Sequence, residues 1–133
     1  MELDLYETDL AVCRLPADAP IPEWASHAPG PLVSITRTER ELSIVAAQAA
    51  VPQDVQAEGG WRAMAVRGPL PFHLVGILAS LAAPLADAEV PIFAVSTHDT
   101  DWLLVGHDRL GDARAALTAA GHRIHDRSAS GSG

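Results

Sequence analysis

Apolar and polar positions along this chain recur in two periods, and the points where one gives way to the other mark its elements. Residues 10–15, LAVCRL, form an apolar run that predicts a first strand, and the proline-rich PADAPIP after it predicts a turn. Pro22 suits the first position of a short helix with Glu23, Trp24 and Ala25 in its first turn. Residues 27–31 read as a loop. Residues 32–37 and 42–47 are β-branched segments separated by Thr38, Glu39, Arg40 and Glu41, which predicts a strand hairpin.

The connector AAQAAVPQDVQAEGG has room for a helical turn and ends in a glycine pair, after which the pattern restarts. Residues 61–67 alternate as a strand does. Leu74, Ile77, Leu78, Leu81 and Leu85 then recur at three and four residues, which places them on one face of a helix. Pro84 removes that helix's hydrogen bond to the Ser80 carbonyl, so a kink or an early stop is expected. Residues 90–96 and 102–105 predict a second hairpin. Asp108 suits the N-cap of a further helix with Leu110, Ala113, Leu117 and Ala120 on its apolar face, and Gly121 ends it. Residues 122–125 complete the pattern as a strand, and the tail SASGSG has nothing to bury.

The second part therefore reads strand, helix, strand, strand, helix, strand, the split βαβ or ferredoxin-like order. The first part repeats its opening three quarters and puts the connector in place of the second helix. An α+β fold of two ferredoxin-like units follows: an abbreviated one over residues 1–57, a complete one over 58–127, and a disordered tail over 128–133. The first is too small to bury its own core, so a shared sheet or packed helices should join them.

Composition narrows the function. The 133 residues are 48% hydrophobic and 20% charged, as in a soluble globular protein. A net charge of -8, with no lysine and scattered arginines, excludes a general nucleic-acid surface and a polybasic membrane patch. The largely apolar run over residues 74–86 is well below the ~20 residues that span a bilayer, and the acidic MELDLYETD is no signal peptide. A cytoplasmic location is expected. Cys13 sits in an apolar run as a small hydrophobe, and Trp24, Trp61 and Trp102 suit core anchors. No nucleophile motif or phosphate loop occurs, and the spacing of His98, Asp99, Asp101, His107 and Asp108 fits no zinc or calcium pattern. Neither catalysis, cofactor nor metal is expected.

What remains is charge complementarity to a small zwitterion. The amides of Leu74, Val75, Gly76 and Ile77 open the predicted helix without internal acceptors and suit a carboxylate, and Gly76 permits close approach. Asp101 suits an ammonium, whereas Asp99 reads as a turn residue.

The stretch GPLPFHLVGILASLAAPLADAEVPIFAVSTHDTDWLLV resembles the core of an ACT domain, the small-molecule regulatory module attached to amino-acid metabolic enzymes. It is similar in particular to stand-alone tandem ACT proteins related to aspartokinase regulatory regions and to the cytosolic arginine sensors. The likeness covers residues 61–125 by order of elements, and GPLVSITRTERELSIV extends it into the first part. The resemblance implies an effector site at the loop between first strand and first helix, which holds Pro71, Phe72, His73, Leu74, Val75, Gly76 and Ile77. The arginine sensors add the second strand and its hairpin, here Ile92, Phe93, Ser96, Thr97, His98 and Asp101. With one pair of ACT-like units rather than four, a complete site is implied to need a second chain. The resemblance thus implies a non-catalytic sensor, homodimeric, that binds a free amino acid or similar metabolite and acts on a regulated enzyme or other protein partner. The alternative is a ligand-free dimerisation or docking module for a metabolic enzyme.

Overall fold

Leu3 and Leu5 alternate with Glu2 and Asp4, and this alternation carries the first strand well ahead of position 10. In the computed structural model, which describes residues 1–68 and 75–127, β1 is Glu2–Leu15. It is followed by α1 (Glu23–Ser26), β2 (Ser34–Arg37), β3 (Leu42–Ala47) and a 3-10 turn at Gln48–Ala50. Then come β4 (Gln56–Val66), α2 (Ile77–Asp87), β5 (Ile92–Ser96) and β6 (Asp101–Gly106). A second 3-10 turn at His107–Arg109, α3 (Leu110–Ala119) and β7 (Arg123–Arg127) complete the described elements.

All seven strands form one sheet in the order β2-β3-β1-β4-β6-β5, with β7 also on β1. The length of β1 explains this arrangement. Its residues 10–15 pair antiparallel with β3, while residues 2–6 pair parallel with β7. β3 and β7 therefore lie end to end along one side of β1, and β4 runs along the other. The series β4, β1, β3, β2 makes the abbreviated ferredoxin-like unit. β4, β6 and β5 belong to the complete one, whose last strand, β7, is separated from β4 by the inserted end of β1. The result is an α+β, ACT-like fold whose two units share a sheet.

The β1–β4 register shifts between Leu5 and Asp9 and again between Leu10 and Val12. Such irregularities bend a strand and increase its twist. On the helix-bearing face Leu3, Leu5, Met64, Leu103 and Val105 pack with Leu81 and Leu85 of α2 and Leu117 of α3. Ala11, Cys13, Leu42 and Ile44 pack with Ala25 of α1. The helix-free face is concave and holds Leu10, Leu32, Val45, Ala63 and Leu104, with Trp61, Phe93 and Trp102 against them. β2 and β5 stand at opposite ends of the strand order yet line one cleft, as a curled sheet requires.

Several boundaries differ from those read in the sequence. β4 begins at Gln56 rather than 61, because its early residues pair with the far end of β1. α2 continues through Pro84 to Asp87 without the expected early stop. The Ser80 carbonyl that Pro84 leaves without its helical donor accepts instead from Nε2 of His122, 3.0 Å away, and His122 is buried. Asp108 caps nothing: it lies in the 3-10 turn, and α3 starts two residues later with no side-chain cap. The last strand is Arg123–Arg127 rather than 122–125, drawn out by its parallel register with β1.

Candidate functional site

The end of β4 and the β5–β6 hairpin lie together because β6 runs antiparallel to β4, with Trp102 opposite Ala65. α2 opens on Gly76, whose φ of 83° lies in the left-handed region that glycine tolerates. Among the described residues no side chain caps this end. The first amide satisfied within the helix is that of Ser80, which donates to the Gly76 carbonyl at 2.9 Å. The amides of Ile77, Leu78 and Ala79 therefore stand at the positive end of the helix without intrahelical acceptors.

The hairpin is well tied. Ser96 faces Asp101 across the strands, and its hydroxyl donates to Asp101 Oδ1 at 2.7 Å. The Thr97 amide and hydroxyl both donate to the Thr100 carbonyl, at 2.9 and 3.1 Å. Thr100 in turn donates its hydroxyl to the carbonyl of Val66, the last residue of β4, at 2.7 Å. Alternation along β6 puts Asp101 on the face of Leu103 and Val105, which is the face α2 covers. Asp101 Oδ2 has no hydrogen-bond partner among the described residues.

Ser96, Thr97 and Asp101 are thus brought together in the hairpin, the first turn of α2 contacts Met1 and His122 through Ser80, and other implied residues stand elsewhere. Pro71, Phe72, His73 and Leu74 lie outside the described residues. Val75 is 88% exposed, and Ile77 turns its side chain to the core while its amide stays at the helix end. Ile92 packs on the helix-side core. His98 and Asp99 pair at 3.1 Å in the exposed turn. Phe93 points to the opposite face, where its ring meets Trp61 edge-on at 6.3 Å.

That opposite face carries two features with no local sequence signal. One is a cleft of about 610 Å³ between the concave sheet and β5, lined among others by Arg14, Val45, Glu58 and Phe93. The other is an ionic cluster. Asp4 Oδ1 accepts from Arg67 Nε at 3.0 Å and Arg127 Nε at 3.1 Å, and a second Arg67 nitrogen stands at 2.9 Å. Burial pushes the Asp4 carboxyl up, but hydrogen bonds and charge from the two arginines outweigh it and hold the group below the usual carboxylate range. Burial also pushes the Cys13 thiol up, which suits a buried hydrophobe rather than a thiolate. Among the described residues no group of three or more His, Cys, Asp or Glu side chains is placed to hold a metal ion. None of their helices is long and apolar enough to cross a membrane.

The split βαβ order and the shared sheet are the features of an ACT-type regulatory domain. A family model described as ACT domain matches residues 56–119, so this part of the chain belongs to the ACT-domain family, and a second model for an N-terminal domain matches residues 8–54. It is similar to a protein of Agobacterium tumefaciens solved by X-ray crystallography, with 39% identity, a TM-score of 0.87, and 95% of this chain and 92% of that one covered. A Vibrio cholerae protein described as of unknown function and a possible transport protein shares the fold at 19% identity and a TM-score of 0.70, over 90% of this chain and 88% of that one. The ligand-free regulatory subunit of aspartate kinase from Thermus thermophilus does so at 10% identity and a TM-score of 0.59, over 90% and 94%. No curated protein matches the chain in sequence. Membership of the ACT family supports a regulatory, ligand-sensing role in general.

Proposed function

We propose that this protein is a non-catalytic, cytoplasmic sensor that binds a free amino acid or similar small metabolite at the α2 end of the sheet. The observation that supports the reading is that the N-terminus of α2 and Asp101 lie on the same face of the sheet. The amides of Ile77, Leu78 and Ala79 suit an α-carboxylate, and Asp101 Oδ2 suits an α-ammonium. Charge-assisted bonds of this kind contribute roughly 1.5 to 3 kcal/mol each, so a few of them serve reversible sensing. Pro71, Phe72, His73 and Leu74 enter the proposed site through the family resemblance, as do Val75, Gly76, Thr97 and His98, whereas Ile92 and Phe93 are turned to the core and to the opposite face.

The division at residues 57 and 58 belongs to the same proposal. Because β1 and β4 serve both parts, a ligand at one end biases the geometry of the whole sheet, and a homodimer or a regulated enzyme reads that bias. Asp101→Asn removes the charge while keeping the shape and an oxygen that accepts from Ser96. Calorimetric titration should show at least about tenfold weaker binding of the cognate amino acid, a loss of about 1.4 kcal/mol, with an unchanged unfolding curve. Equal affinity in the variant contradicts the assignment. A ligand-free docking module is the second reading, favoured by the outer edge of β2, where Val33 and Ile35 are exposed.

A further inference from the structure

The strand registers build two cross-strand rows on the concave, helix-free face. In one, Gln56, Arg14, Ser43 and Thr36 stand side by side on β4, β1, β3 and β2. In the next, Glu58, Val12, Val45 and Ser34 do the same. Both rows line the cleft, whose floor thus carries a polar outer row and an inner row with an apolar centre. Deeper still lie Leu10 and Trp61, so polarity falls along the cleft.

Arg14 and Glu58 are diagonal neighbours on adjacent strands, a spacing of about 7–8 Å between such positions. Opposite charges so placed commonly pair, yet neither has an ion-pair partner among the described residues. Arg14 is steadied by a bond to the Arg40 carbonyl at 3.1 Å. The far wall is β5, which contributes four consecutive residues, 93–96. Side chains alternate along a strand, so four in a row means that its unpaired edge, with free backbone donors and acceptors, faces the cleft. A volume of about 610 Å³ falls within the range of small-ligand sites, roughly 300–1,000 Å³.

We propose that this cleft binds a free amino acid with an apolar side chain. Its carboxylate meets Arg14, its ammonium meets Glu58, and its side chain lies against Val12, Val45 and Phe93. A polyanion is disfavoured because Arg14 is the one cation among the described lining residues and shares the cleft with Glu41 and Glu58. A simple cation is disfavoured by Arg14 itself. The class of ligand rests on the amino-acid reading above, whereas Arg14, Glu58 and Phe93 lie on the opposite face of the sheet from Asp101. Arg14 and Val45 come from the first part of the chain and Phe93 from the second, so an occupant bridges the two.

The test is calorimetric titration of the full chain with L-leucine and L-phenylalanine, and with N-acetyl-leucine and leucinamide, which each lack one charge. One or both amino acids should bind, both charge-deleted leucine analogues should bind at least tenfold more weakly than leucine, and Arg14→Gln and Glu58→Gln should each weaken binding at least tenfold. Binding that survives Arg14→Gln and Glu58→Gln but is lost in Asp101→Asn overturns the cleft and leaves the α2-end site standing. Absence of binding by leucine and phenylalanine, with another amino acid bound in an Asp101-dependent manner, also overturns the cleft alone. Absence of binding by every amino acid overturns both readings.

Discussion

Replacement of Leu5 by alanine is expected to cost about 2–5 kcal/mol of folding stability, the range for truncating a large side chain in a close-packed core. Leu5 is 1% exposed and packs in the cluster that joins the sheet to α2 and α3. Its strand segment is held on both sides, by β7 in parallel and β4 in antiparallel register. A side chain near a chain end is ordinarily a minor contributor, and surface substitutions usually change stability by less than about 0.5 kcal/mol. The two pictures differ severalfold. Urea denaturation of Leu5→Ala against the unaltered chain separates them, and a change below about 0.5 kcal/mol contradicts the placement of residues 2–6 inside the sheet.

Asp4→Asn should be the second large effect, a loss of about 2–4 kcal/mol near neutral pH, because it leaves two arginines facing an amide that cannot match their charge. The Asp4 side chain is 13% exposed, and its partners bring together β1, the end of β4 and β7. The acid dependence follows from the direction of its pKa. A carboxyl held below the ordinary aspartate value of about 3.9 contributes its stability above that pH and loses it as pH falls through the folded value. The gap between the two proteins should therefore be full at pH 6 and shrink steadily below about pH 4. A gap independent of pH would mean that the substitution acts through shape rather than charge.

Local patterns were sufficient wherever an element's partners lie close in sequence. Both hairpins and the apolar face of α2 follow from β-branched runs, turn residues and three-to-four spacing. The register of the second hairpin also places Ser96 opposite Asp101. The long-range features follow no such signal. The Leu-acid alternation of residues 2–5 is visible, but its parallel partner β7 begins at Arg123. Pro84 correctly marks the Ser80 carbonyl as losing its helical donor, but only the fold supplies His122 as the replacement. Of the proposed site, Asp101 and the helix end are legible because turn and cap chemistry are local. Phe93 is separated from them because strand alternation turns it to the other face. Arg14 and Glu58 are 44 positions apart and become neighbours through the shifted β1–β4 register.

The central claim is that this ACT-family chain binds an amino acid, and a thermal-denaturation screen against each of the twenty tests it most directly. A ligand at a hundred times its dissociation constant adds ~2.7 kcal/mol to the folded state, and a 1 kcal/mol change moves the melting temperature by several degrees in a domain of this size. At least one amino acid should therefore raise the melting temperature in a saturable, concentration-dependent way. No shift with any of the twenty at millimolar concentration would contradict the sensor account and favour the docking module.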